Sequence, residues 1–128
     1  MDYRIAVDDT SGWGKATISG EITPQGLVEM LEAAWSHPQY SRVEAAIWNF
    51  LDAHTTMRLD DLLQFNAWVA TTKRDRGAKT IAIVAADDVI FGVGRMFHAV
   101  QPELGWKLCI FRDEPEAIAW LRSETTPG

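Results

Sequence analysis

Apolar and polar residues change their period several times along the chain. Tyr3, Ile5 and Val7 alternate with Arg4 and Ala6, the period of two expected of a pleated strand. Asp8-Asp9-Thr10-Ser11-Gly12 is a dense turn signal, after which Ala16 and Ile18 predict a second strand from Trp13 to Gly20. The two strands should pair as an antiparallel hairpin with a long loop. Thr23-Pro24 then opens a helix, because the hydroxyl can cap free amides and proline at the first helical position gives up no hydrogen bond. Leu27, Leu31, Ala34 and Trp35 fall on one face of it, and His37-Pro38 ends it.

The segment 45–51, AAIWNFL, is short and continuously apolar, and reads as a buried strand. A second helix follows from about Met57 to Arg76, with Leu59, Leu62, Leu63, Phe65 and Val69 facing inward. Asp60 and Asp61 in its first turn and Lys73, Arg74 and Arg76 in its last complement the helix dipole, and Gly77 is placed to close it. Thr80 to Ala85 is the next buried strand. Asp87-Asp88 leads a third helix carrying Ile90, Val93, Met96, Phe97 and Val100, stopped by Pro102 and Gly105. Trp106 to Phe111 is the last strand, and Asp113 caps a final helix that buries Ala117, Ile118 and Leu121.

An opening hairpin followed by alternating helices and strands predicts an α/β domain with a largely parallel sheet. Short right-handed crossovers favour sequential winding, each strand laid beside the last. The chain has 128 residues, 47% of them hydrophobic and 23% charged, which suits one core and no second. The domain is expected over 1–122, with 123–128 as a frayed tail. A net charge of −6 argues against nucleic acid or an anionic membrane surface as partner, since both attract a positive field. The longest uncharged run, Leu62 to Thr72, is too short to span a membrane, and the N-terminus lacks a basic region followed by an apolar stretch. With a single cysteine, Cys109, in an apolar strand, a packing role and a cytoplasmic setting are expected.

Candidate chemistry is sparse. The pair Gly92 and Gly94 falls inside a helical pattern, with Phe97 where a dinucleotide fingerprint needs its third glycine. Its expected role is a close helix approach. The histidines at 37, 54 and 98 have no partner at metal-ligand spacing, and no serine sits in a nucleophile elbow. The pairs Asp8-Asp9, Asp60-Asp61 and Asp87-Asp88 stand at turns and helix starts, where carboxylates serve structure. No metal, no cofactor and no catalytic residue is predicted, and the chain is not expected to be an enzyme.

Two segments stand above this background. Asp52-Ala53-His54-Thr55-Thr56 is expected between the third strand and the second helix, beyond the carboxyl ends of the strands, where α/β sheets dock ligands and partners. Asp52, His54, Thr55 and Thr56 are the partner-binding candidates. The two hydroxyls are either helix caps or phospho-acceptors. Six tryptophans form the second signal, with Trp13 and Trp68 expected on an exposed apolar patch of the kind that marks a subunit contact. A groove between the second and third helices, near Phe65, Trp68, Phe91 and Arg95, is the candidate site for a small ligand, Arg95 being the anion-pairing group.

The order of elements, the helix introduced by Gly20-Glu21-Ile22-Thr23, the stretch 88–97 (DVIFGVGRMF), and the ending Phe111-Arg112-Asp113 with Ala119-Trp120 resemble small bacterial SpoIIAA-like proteins. Their fold is shared with STAS domains. The resemblance covers nearly the whole chain and implies a mixed five-stranded sheet with four helices. It also implies a regulatory, non-enzymatic protein-interaction domain, and a homodimer is expected. Anti-sigma antagonists of this fold carry a phosphorylated serine in an Asp-Ser-Ser-Gly-type motif at the start of the second helix. This chain has Asp52-Ala53-His54-Thr55-Thr56 and Met57-Arg58 there. A related branch binds lipids in a large apolar pocket enclosed by extra helices. The alternative function is therefore binding of a small molecule, a lipid or an anionic metabolite.

Overall fold

A computed structural model describes residues 1–72, 78–100 and 105–125. The chain order is β1 (Asp2–Val7), β2 (Gly14–Ile22), α1 (Pro24–Ser36), a 3-10 turn (Tyr40–Arg42), β3 (Ala45–Thr55), α2 (Leu59–Thr72), β4 (Thr80–Val84), α3 (Asp88–Val100), β5 (Lys107–Phe111) and α4 (Glu114–Thr125). The sheet runs β1-β2-β3-β4-β5 in chain order, antiparallel only between β1 and β2. This is the sequential winding that the alternating pattern predicts.

The sheet has a crowded face and a sparse one. On the crowded face α1, α2 and α3 bury Leu27, Met30, Leu31, Leu62, Phe65, Val69, Ile90 and Phe97 against Ile18, Trp48, Phe50, Ile81 and Ile83. On the sparse face α4 alone packs Ala117 and Leu121 onto Ala45, Ile47, Ala82 and Val84. All four helices begin at the carboxyl edge of the parallel strands, and each start is held by a side chain of its own segment. Thr23 Oγ1 accepts from the Gly26 amide at 3.0 Å, Asp87 Oδ1 from Val89 at 2.8 Å and Ile90 at 3.1 Å, and Asp113 Oδ1 from Glu116 at 2.9 Å. At α2 the third helical residue reaches back, Asp61 Oδ2 accepting from the Arg58 amide at 2.9 Å, which is half of a capping box.

Several boundaries differ from the sequence expectation. β3 continues to Thr55, because a bulge sets Phe50 and Leu51 opposite Ile18 alone. Past it both Leu51 and Asp52 are exposed, and the break in alternation hides the strand's second half. α2 begins at Leu59 rather than Met57, and Leu59 and Leu63 are each 45% exposed rather than inward. α4 runs on to Thr125, through residues expected in the tail. Cys109 is half-buried. Lys73, Arg74, Arg76, Gly77 and Pro102 lie outside the described residues. Gly94 does permit a close approach, since a Cβ there would stand 3.2 Å from Ile110 Cδ1, whereas Gly92 faces open space.

Candidate functional site

The carboxyl edge holds the segment singled out from sequence, but as strand rather than loop. Asp52, Ala53, His54 and Thr55 pair with Ser19, Gly20, Glu21 and Ile22 of β2. Asp52 and His54 are exposed, while Ala53 and Thr55 are buried toward the helices. Thr55 is only 8% exposed, and its hydroxyl donates to the Ile22 carbonyl at 3.2 Å and accepts from the Met57 amide at 3.0 Å. It therefore ties β3 to β2 and shapes the turn into α2, and it does not cap the helix. Thr56 is exposed. Of the two hydroxyls, it alone is open to solvent.

Behind this edge lies an apolar cavity of about 40 Å³ between the sheet and helices α2 and α3. Thr55, Met57, Leu62, Phe65, Val93 and Phe97 contribute to its wall. Of the four groove candidates Phe65 lines it and touches Phe97, with ring centroids 5.7 Å apart. The other three stand elsewhere. Trp68 stacks on Trp35 of α1 at 5.7 Å, so that side of α2 faces α1. Phe91 lies under the Arg112 guanidinium, 3.9 Å from the ring centroid, and Arg95 is exposed on α3. Trp13 and Trp68 are half-buried, Trp13 packing against the α4 cluster.

The exposed large apolar residues among those described are different ones: Tyr3 on β1 at 38%, Leu51 at the β3 bulge at 41%, Leu59 and Leu63 on α2 at 45% each, and Val89 in the first turn of α3 at 58%. Helical spacing puts Leu59 and Leu63 on the side of α2 away from Trp68, which is the side that meets α3. Asn66 falls on that same side. It is buried, and its Oδ1 has no hydrogen-bond partner. A buried amide oxygen left unpaired costs about 1–3 kcal/mol, so the α2–α3 seam is the least satisfied part of the crowded face. Sequence reasoning placed Leu59 and Leu63 in the core. The arc of Leu62, Phe65 and Val69 was the signal that excluded them, since both leucines lie more than 100° from Phe65 on the helix.

Two polar clusters explain other motif residues. Glu114 at the start of α4 receives Lys15 Nζ at 2.9 and 3.1 Å and Asn49 Nδ2 at 2.7 Å, while Asn49 Oδ1 accepts from the Leu51 amide at 2.9 Å. Arg112 donates to the Ala86 carbonyl and to Asp88 Oδ1, each at 2.8 Å, joining the ends of β4 and β5 to the start of α3. Burial pushes the Tyr40 phenol up to about 12. Ser11, donating through its hydroxyl and its backbone amide, holds the Asp8 carboxyl below its ordinary range. Among the described residues no three His, Cys, Asp or Glu side chains converge as a metal site, and no helix is long and apolar enough to cross a membrane.

No family model and no curated protein matches the chain. Among solved structures it is similar to an uncharacterised protein of the DUF3478 family with a SpoIIAA-like fold from Shewanella loihica PV-4. The TM-score is 0.57 at 15% sequence identity, over 94% of this chain and 92% of that one. The fold is SpoIIAA-like.

Proposed function

We propose that the chain is a non-enzymatic interaction module whose protein-binding surface is the corner where α2 and α3 begin. The observation that carries this reading is the exposure of Leu59, Leu63 and Val89 on neighbouring helices. Apolar residues grouped at one place and rimmed by polar ones are what a docking partner covers. The rim is supplied by Asp60 of α2, Asp88 of α3 and the exposed Thr56. A phosphate on Thr56 would add negative charge to a rim that already holds two aspartates, and would disfavour an acidic partner. The regulatory role, the cytoplasmic setting and the single-domain organisation belong to the same proposal.

The test is capture from the cells of origin, quantified by mass spectrometry, with the native chain and a Leu63→Glu/Val89→Glu variant side by side. A protein retained by the native chain and lost by the variant supports the reading. Equal capture of every protein moves the site elsewhere. Thr56→Glu should weaken the same complex, and Thr55→Glu should instead destabilise the fold, since that hydroxyl is buried and bonded.

The apolar cavity favours a second reading, binding of a small ligand. Its wall is apolar apart from Thr55, and Arg95 does not line it, so the chemistry it suits is a short hydrocarbon group rather than an anion. At about 40 Å³ it holds little more than one water-sized group, and anything larger requires α2 and α3 to part. Native mass spectrometry of gently purified protein separates the readings: extra mass lost on denaturation means a ligand, and bare chain masses favour the interaction module.

A further inference from the structure

The two edge strands of the sheet are not equally guarded. β1 carries the exposed charges Asp2 and Arg4, a usual protection against stray strand pairing. β5, KLCIF, carries one charge, Lys107 at its start, and that ammonium is already paired with Glu124. Its hydrogen bonding to β4 alternates. The Lys107 amide donates to the Lys79 carbonyl at 2.7 Å, and the Phe111 carbonyl accepts from the Ala85 amide at 2.9 Å. In this parallel register residues 107, 109 and 111 face β4, so the N–H and C=O groups of Leu108 and Ile110 point away from the sheet. No described strand pairs with that side. Nor does α4 cover it, since Ala117 and Leu121 sit over β3 and β4.

We infer that β5 pairs with β5 of a second copy, antiparallel about a two-fold axis at Cys109, making one continuous ten-stranded sheet. This register sets Leu108 opposite Ile110 of the other copy, twice, and so uses all four outward N–H groups and all four outward carbonyls of the two strands. Lys107 falls opposite Phe111, so no like charges meet. That matters in a chain of net charge −6, where two copies already repel and a pair of like charges opposed at the contact would add to the repulsion. The arrangement deepens the reading of the chain as an interaction module by naming one partner, and it occupies a surface other than the α2–α3 corner.

The two Cys109 residues would form a non-hydrogen-bonded pair with Cα atoms about 4.5 Å apart, within reach of a disulfide. Cys109 is the only cysteine, so a cross-link has one identity. Sedimentation velocity over a concentration series should show a dimer. Diamide, which takes up two hydrogens as two thiols join, should convert that dimer to a covalent one. Cys109→Ser should dimerise without cross-linking. Cys109→Lys puts two ammonium groups across the axis and should weaken self-association by about tenfold. Should that variant unfold, amide exchange in the native chain decides: the Leu108 and Ile110 amides should be protected at high concentration and exposed on dilution, with Cys109 protected throughout. A monomer at every concentration, or a dimer in which those two amides exchange freely, overturns the inference. Neither result bears on capture through Leu63 and Val89, which tests the other surface.

Discussion

The two faces of the sheet are built on different principles. The crowded face is closed by three helices whose apolar stripes meet strands of matching character, and among the described residues no charged side chain is buried in its core. The sparse face is covered by one helix, its apolar contact is a small cluster, and the start of α4 is pinned by Lys15, Glu114 and Asn49. Periodic apolar burial organises the first face. A polar junction between residues 65 and 99 positions apart in sequence helps organise the second. Stability is therefore concentrated on the first face, and specific polar contacts set the geometry of the second.

The largest effect that can break this comparison comes from one leucine on each face. Leu31 of α1 is 1% exposed in the crowded core, and Leu121 of α4 is fully buried against the sheet. Leu31→Ala should cost about 3–5 kcal/mol and Leu121→Ala about 2–3 kcal/mol, both read by urea denaturation. The order follows from how far each site can collapse, because α4 is held from one side and can settle into the space left. Equal or reversed costs would mean that α4 is as tightly enclosed as α1.

Tyr40 gives the next effect, confined to alkaline pH. Its folded-state pKa of about 12 lies above the ordinary value of 10.0, so the folded protein holds a proton that the unfolded chain releases first. The stabilisation is fully present below pH 10 and is lost as pH rises toward 12, by on the order of 2–3 kcal/mol. Tyr40→Phe should flatten that part of the stability profile. An unchanged alkaline slope would assign the loss to other groups.

On the sparse face, Asn49→Ala removes the partner of both the Leu51 amide and one Glu114 oxygen. Lys15 remains on Glu114, and the expected cost is about 1–2 kcal/mol. A Lys15→Met change should cost less, because that side chain is 42% exposed and solvent screens the pair. If Lys15→Met proved the costlier of the two, the junction would be held by charge rather than by the buried amide.

These sites also mark what was legible in the sequence. The crowded face was readable because Leu27, Leu31, Ala34 and Trp35 keep the period of a helix, and Ile81 and Ile83 that of a strand. So was the order of the sheet, which follows from short connections between alternating elements. The second half of β3 was not, because the bulge at Phe50 and Leu51 shifts the alternation by one residue and makes Asp52 look like the start of a loop. Leu59 and Leu63 were misplaced because leucine by itself says nothing of which side of a helix it occupies. The Asn49–Glu114–Lys15 junction and the bridge made by Arg112 join distant segments, and no local pattern announces such contacts. Of the segment 52–56 the position at the carboxyl edge was readable, but not the burial of Thr55, which depends on the carbonyl of Ile22 across the strand pair.

The smallest effects sharpen the picture of the crowded face at α3. Gly92 and Gly94 are one half-turn apart in the same helix, and both cost helix stability relative to alanine. At Gly92 a Cβ meets nothing within 4 Å, so Gly92→Ala should stabilise by about 0.5–1 kcal/mol through helix propensity and the unfolded chain. At Gly94 the same propensity gain is opposed by a contact at 3.2 Å with Ile110 Cδ1. The end of an isoleucine side chain can yield a few tenths of an ångström, and Gly94→Ala should therefore fall near neutral or up to about 1 kcal/mol destabilising. A thermal melt of the two variants separates them, with Gly92→Ala about 2–6 °C above Gly94→Ala. The informative failure is a destabilising Gly92→Ala. Open space beside that glycine in a single chain would then be filled in solution, and the material filling it would lie against α3 close to Val89, where the interaction reading places a partner.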